Sequence, residues 1–438
     1  MTRSRRNYAV AVLAACIASF VACVASDFTD GQYACDPAGA AACPPGLVCA
    51  RDGLCRVHDV ADGQGPFVPP DANGETGVVS MDATTDAGDA SDACATATWS
   101  LVTDAWTPLA VALADDGRLF AGGQAGNQGW LAEVDSCDGG IVRQKTFAVS
   151  GTTGPVVDAM LPTATKLLVC GGAAVPDAIY GTVDKALTTP VLTTFAGTNI
   201  TGFSGIAVAT DGAIWTAGTK NIFGTPSQGW VVHTSAPKCE ATIGTSAVIA
   251  AAPAGSMYVL VDSVSAGSQV MLVDPACALG ATVGPPLVLG TSINSTSLLV
   301  QKGVLYAGGT ALTATANRFV FLAGLDLVSK KWTVTTVDPN PTEPDVLGAS
   351  ASDTNAFFLG VTQRAGFGTG TSTLYRFDPP FTTTSVPVTT ALPFGATQIP
   401  VRSLAVAPAG IDGVYIVAGS IDGTGGIARC KKSGECAH

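Results

Sequence analysis

Residues 115–123 read "DDGRLFAGG": an acidic turn with glycine, a short apolar β-run, then small residues. The pattern returns six times. It recurs as "TKLLVCGG" (165–172), "DGAIWTAGT" (211–219) and "GSMYVLVDS" (255–263), then as "KGVLYAGGT" (302–310), "TNAFFLGVT" (354–362) and "DGVYIVAGS" (412–420). The spacing is roughly 45 to 60 residues, the period of propeller blades and related repeats. Other short runs flank each seed. "PLAVALA" (from Pro108), "GIAVAT" (from Gly205), "TSLLVQ" (from Thr296) and "RSLAVAP" (from Arg402) precede their seeds. A third run follows in every unit. Five of the seven third runs end on aspartate, at Asp135, Asp184, Asp274, Asp326 and Asp378. Aspartate there is a turn residue that bonds its own backbone at a strand end. A fourth run follows in most units.

Four short antiparallel strands, repeated seven times over residues 104–438, predict an all-β fold: a seven-bladed β-propeller of four-stranded blades. "QGW" at Gln128 and again at Gln228 then begins the third strand of blades 1 and 3. The seventh unit stops after its third strand. An unpaired strand-like run, "CATATWSLVT" (94–103), precedes the first unit. It is expected to complete the last blade and so remove the exposed edges of an open ring. Cys94 begins this run, and Cys430 and Cys436 lie in the turn that should face it. A bond from Cys94 to one of them would lock the closure. Cys239 with Cys277 is a further candidate pair, and Cys170, inside "LLVCGG", reads as a buried free thiol.

Composition agrees with a sheet-rich chain exported from the cytoplasm. The 438 residues include 51 Gly and 13 Cys, and only 13% are charged. The net charge of -12 argues against nucleic acid and against electrostatic docking on anionic lipid, because both need clustered Lys and Arg. Thirteen cysteines point to an oxidising compartment. The N-terminus has a basic start with Arg3, Arg5 and Arg6, then an apolar run, which is the form of a secretory signal. "FVAC", ending at Cys23, resembles the lipobox of bacterial lipoproteins. That resemblance implies residues 1–22 as signal peptide and a lipidated Cys23, with "LAAC" at Cys16 as the alternative. "SRRNYAV" partly resembles a twin-arginine signal.

Cys35, Cys43, Cys49 and Cys55 fall within about twenty residues rich in Pro and Gly, too few to build an apolar core. Two disulfides are expected to hold this module, residues 23–56, since the spacings do not match zinc ligation. It resembles the short "C…CPPGLVC…GLC" modules that follow lipoboxes in bacterial surface lipoproteins. Residues 57–93 are acidic and almost without apolar periodicity, and read as a disordered linker. The propeller domain is then 94–438.

The repeats resemble those of kelch-like and related secreted bacterial propellers, whose strands end near "AGG". Propellers host lectins, hydrolases, oxidases and scaffolds, so function has to be argued from a site. Three histidines, His58, His233 and His438, are spread thinly, and His233 is expected at a surface or edge. No hydrolase, P-loop or zinc-protease motif is present. Arginines in the repeats are few and scattered. No metal or cofactor is expected. The reading favoured is a monomeric, non-enzymatic lipoprotein of the cell envelope, at the outer membrane or cell surface, that binds a glycan or an envelope, extracellular or matrix protein. The alternative is a secreted hydrolase or lyase acting on polysaccharide. Phe203, Phe223 and Phe367 are the aromatics expected in loops to contact the ligand.

Overall fold

The computed structural model describes residues 48–49, 55–56, 97–173, 178–195, 200–220, 228–234, 239–244, 247–262, 267–312, 318–337, 348–352, 356–365, 369–379, 386–394, 400–407, 411–419 and 425–436. The chain divides into two units, Met1–Thr85 and Asp86–His438. In the first, Val48–Cys49 pairs antiparallel with Cys55–Arg56, with Cys49 opposite Cys55. Lipidation at Cys23 or Cys16, the remaining module cysteines Cys35 and Cys43, and the acidic linker lie outside the described residues.

The second unit is the propeller. Seven four-stranded antiparallel sheets follow one another. Their second strands are Leu119–Ala125, Lys166–Gly172, Ile214–Lys220, Met257–Val261, Val304–Leu312, Phe357–Ala365 and Val414–Gly419. All seven fall on the seed repeats. Each blade's first strand packs against the first strands of both neighbours, around the whole circle, so the first strands are innermost. The seventh blade has the order Val401–Val406, Val414–Gly419, Gly425–Cys430, then Trp99–Thr103. Trp99 pairs with Arg429 and Thr103 with Gly425, so the N-terminal run completes the last blade as its outer strand.

The two "QGW" sites perform the same task. Trp130 and Trp230 are fully buried on the third strands of blades 1 and 3. Each indole stacks on a ring, Trp106 at 4.4 Å and Phe203 at 4.8 Å between centroids. Each N–H donates to the outer strand of its own blade, to Gln144 Oε1 (2.9 Å) and Glu240 Oε2 (2.8 Å). A buried indole needs such a partner, and the repeat supplies one both times.

The third-strand aspartates cap turns as expected. Asp135 Oδ1 accepts from Cys137 N, Asp274 Oδ1 from Ala276 N and Ala278 N, and Asp326 Oδ1 from Val328 N and Ser329 N. Thr188 bonds hold the Asp184 carboxyl down to about 2. Asp378 differs: it accepts from Arg376 Nε at 2.9 Å.

The disulfides correct one expectation. Cys430 bonds Cys436, six residues on, so neither can be the partner of Cys94. The two cysteines flank a tight turn that already brings their Cα atoms to 4.3 Å, within ordinary disulfide reach or just short of it. Cys94 itself lies outside the described residues. Cys239–Cys277 forms as one of the weighed pairs, and Cys137 is also disulfide-bonded. Cys170 is free and buried.

Candidate functional site

The antiparallel order gives the propeller two unlike faces. The turns between first and second strands, and between third and fourth, share one face. Among the described residues these include the tight turns that carry the Asp caps. The loops between second and third strands, and the links between blades, share the other. The inner strands start from this loop face, and there they carry a recurrent distortion. A bulge leaves one residue without a cross-strand partner at Leu109 in blade 1, Asp158 in blade 2, Thr296 in blade 5 and Arg402 in blade 7, and blade 3 skips two, Thr201 and Ser204. Blades 4 and 6 pair without interruption. Bulges re-aim side chains and concentrate near functional surfaces. Here they ring the mouth of the central channel.

The last part of the "AGG" signature belongs to these bulges. Gly123, Gly171, Gly218 and Gly309 stand opposite the residue that opens each bulge. A Cβ at Gly123 would lie 1.9 Å from the Thr107 carbonyl oxygen, and one at Gly171 would lie 2.0 Å from that of Val156. At Gly218 and Gly309 the distances are 2.0 Å and 2.3 Å, to Gly202 and Asn294. Backbone fills the space in which any side chain would begin.

Two of these bulged positions carry charged groups, Asp158 in blade 2 and Arg402 in blade 7. Asp158 is half-buried at the blade 2 bulge, where desolvation pushes its carboxyl up to about 6. The Arg402 guanidinium and a hydrogen bond from Gly172 N–H pull the other way. Arg402 Nε donates to the Gly419 carbonyl at 3.0 Å, so each charge is anchored on the second strand of its own blade. Behind Asp158 lies Cys170, whose thiol is pushed up by burial and by the Asp158 charge. At Leu109, Asp158, Ser204, Thr296 and Arg402 the mouth thus presents a leucine, one acid, two hydroxyls and one guanidinium. It can hydrogen-bond a polar ligand at several points, and it holds no second carboxylate at those positions.

Sequence reading placed two features elsewhere. Phe203 is not a loop residue. It lies on the inner strand of blade 3, fully buried between Trp230, Phe195 and Tyr180. Its neighbours are apolar rings, so the core claims it. His233 is likewise buried rather than at a surface, with its ring 4.7 Å from that of Trp215. Phe223 and Phe367 lie outside the described residues. Asp158 and Arg402 were missed, because the signal that marks them is a register shift, which has no residue pattern on the inner strand. For Asp158 the glycine opposite, Gly171, is its trace in sequence; for Arg402 the opposite residue is Ala418.

No protein-family model matches the chain, and no curated protein matches it in sequence. Solved structures do. A catalytically inactive variant of virginiamycin B lyase from Staphylococcus aureus, crystallised with quinupristin, is 10% identical with a TM-score of 0.50, and the match covers 76% of this chain and 97% of that one. A chain of the mitotic checkpoint complex is 11% identical with a TM-score of 0.49, covering 85% of this chain and 100% of that one. The Dos1 propeller is 10% identical with a TM-score of 0.43, covering 78% and 96%. At such identity the likeness is one of fold.

Proposed function

We propose that this chain is a non-enzymatic lipoprotein of the cell envelope whose propeller binds a glycan, protein or matrix component at the channel mouth on its loop face. The carrying observation is the make-up of the bulge ring. Cleavage of polysaccharide by paired carboxylates needs two acids about 5 to 10 Å apart. The described bulges instead offer one acid, Asp158, and one guanidinium, Arg402, with Ser204, Thr296 and Leu109. One acid and one guanidinium on the same face are suited to recognition of a polar ligand. The disulfides Cys239–Cys277 and Cys430–Cys436 fit an oxidising compartment.

The test is an array of envelope glycans together with a pull-down of solubilised envelope proteins, using the purified chain. A saturable ligand whose capture falls at least tenfold in Asp158→Asn or Arg402→Ala supports the reading. Enrichment of nothing overturns it, and release of shortened polysaccharide transfers the site to the hydrolase or lyase reading. Labelled palmitate tests the anchor: incorporation should vanish in Cys23→Ala, and loss in Cys16→Ala alone would move the lipid there.

A further inference from the structure

A pocket of about 270 Å³ lies between blades 5 and 6, lined by Val304, Tyr306, Leu322, Gly324, Asp326 and Pro379, with Thr333 beside them. Its origin is visible in the repeat. In blades 5, 6 and 7 the second-strand residue three before Gly309, Val361 or Ala418 faces a third-strand residue across the sheet. In blade 7 this pair is Tyr415 and Arg429, in blade 6 Phe358 and Arg376, in blade 5 Tyr306 and Gly324. Both arginines tie their blade to the next. Arg429 lies over the Tyr415 ring, 5.6 Å from its centroid, and donates to the Ser136 carbonyl of blade 1 at 2.9 Å. Arg376 donates to the Lys432 carbonyl of blade 7 at 2.8 Å and to Asp378 of its own blade at 2.9 Å.

Blade 5 lacks the arginine but keeps a carboxylate at the place of Asp378: Asp326, whose Oδ1 also caps its own turn. Asp326 follows Leu325 as Asp378 follows Phe377, each at the end of the third-strand pairing. Pro379 stands two residues past that pairing in blade 6, as Ser136 does in blade 1 and Lys432 in blade 7. Tyr306 supplies the aromatic wall, as Tyr415 does for Arg429. All three line the pocket, and Gly324 leaves it open. A Cβ there would already meet Tyr306 and Val304 at 3.2 Å.

We propose that this pocket is a guanidinium site, which takes the arginine side chain of a partner protein where blades 6 and 7 place one of their own. A planar guanidinium satisfies a carboxylate and a carbonyl together while stacking on a ring, which an ammonium does less well. The pocket opens on the turn face, so this inference does not rest on the channel-mouth reading, and either can fail alone.

The probe is N-acetyl-arginine amide, titrated into the full chain by calorimetry or NMR against the lysine and citrulline amides. The arginine compound should bind at least tenfold more tightly than citrulline, which has the shape without the charge, and more tightly than lysine. Gly324→Arg should fill the pocket from within and abolish binding. Should that variant misfold, Tyr306→Leu and Asp326→Asn decide instead, each expected to weaken binding at least fivefold. Equal affinity for arginine and citrulline, no saturable binding of the arginine amide, or unchanged binding in a folded variant would overturn the assignment.

Discussion

Four blades place a glycine where two place a valine. Gly123, Gly171, Gly218 and Gly309 oppose bulges in blades 1, 2, 3 and 5, whereas Val261 and Val361 end straight pairings in blades 4 and 6. Blade 7 is a third case, bulged opposite Ala418, with Gly419 N–H bonding the Pro400 carbonyl. The straight blades use the next position for a polar group instead. Asp262 accepts from Ser295 N at 2.8 Å, and Thr362 Oγ1 accepts from Val401 N at 2.8 Å. Ser295 and Val401 open the bulges of blades 5 and 7. A straight blade therefore holds the bulge of the blade that follows it. The lesson is that one repeat position serves two ends. As glycine it lets its own blade bulge, and as valine before a polar residue it fastens the bulge next door.

The sharpest way to break this comparison is to exchange the residues. Gly171→Val forces a side chain into the Val156 carbonyl, and the expected cost is more than about 4 kcal/mol, with misfolding a matching outcome. Val361→Gly removes a fully buried side chain from a straight strand and should cost about 2 to 4 kcal/mol. Urea unfolding measures both. Equal costs would mean that the glycine is a composition effect and not a requirement of the bulge.

The fold was legible because its period is written in turn and strand residues. Aspartate and glycine punctuate every unit, and the missing fourth strand of the last unit matches the spare run ending at Thr103. Register was less legible. A bulge shifts pairing by one residue without changing the apolar pattern, so nothing singled out Asp158, and Arg402 read as one of several scattered arginines. Phe203 was misplaced for a related reason. Its neighbours Gly202 and Ser204 read as a loop, but they belong to an inner strand distorted twice, between Ile200 and Gly202 and between Phe203 and Gly205. Disulfide pairing stayed open because spacing alone does not report which turns meet.

Next in size comes the fastening itself. Asp262 is buried and accepts from Ser268 Oγ as well as from Ser295 N and Ser295 Oγ. Asp262→Ala leaves those donors in a dry joint, with an expected loss of about 3 kcal/mol. Thr362→Val keeps the shape, removes one acceptor from Val401 N and one partner of Ser372 Oγ, and should cost about 1 to 2 kcal/mol. Hydrogen exchange localises the effect. The Ser295 amide should open faster in the first variant and the Val401 amide in the second. Uniform acceleration around the ring would show that these contacts are ordinary core bonds rather than joints.

The smallest effect concerns what a bulge does to the residue it isolates. The folded Asp158 carboxyl, at about 6, lies above the ordinary 3.8, because burial disfavours its charge more than Arg402 and Gly172 favour it. A raised folded value means that the native state binds the proton more tightly than the unfolded chain. The resulting stability is complete below 3.8 and is lost as pH rises through about 6. Asp116 and Asp184, held near 2 by Lys185 and by Thr188, behave oppositely and lose their contribution only as pH falls below about 4. Between pH 4.5 and 7.5 the Asp158 term therefore stands apart from theirs. Over that range the stability of the native chain, relative to Asp158→Asn, should fall by about 1 to 2 kcal/mol, after discounting for partial exposure. Parallel pH profiles for the two proteins would mean that Asp158 is solvated like any surface carboxylate. The bulge would then lift the residue clear of its blade instead of enclosing it, and a ligand at the mouth would meet a permanent negative charge.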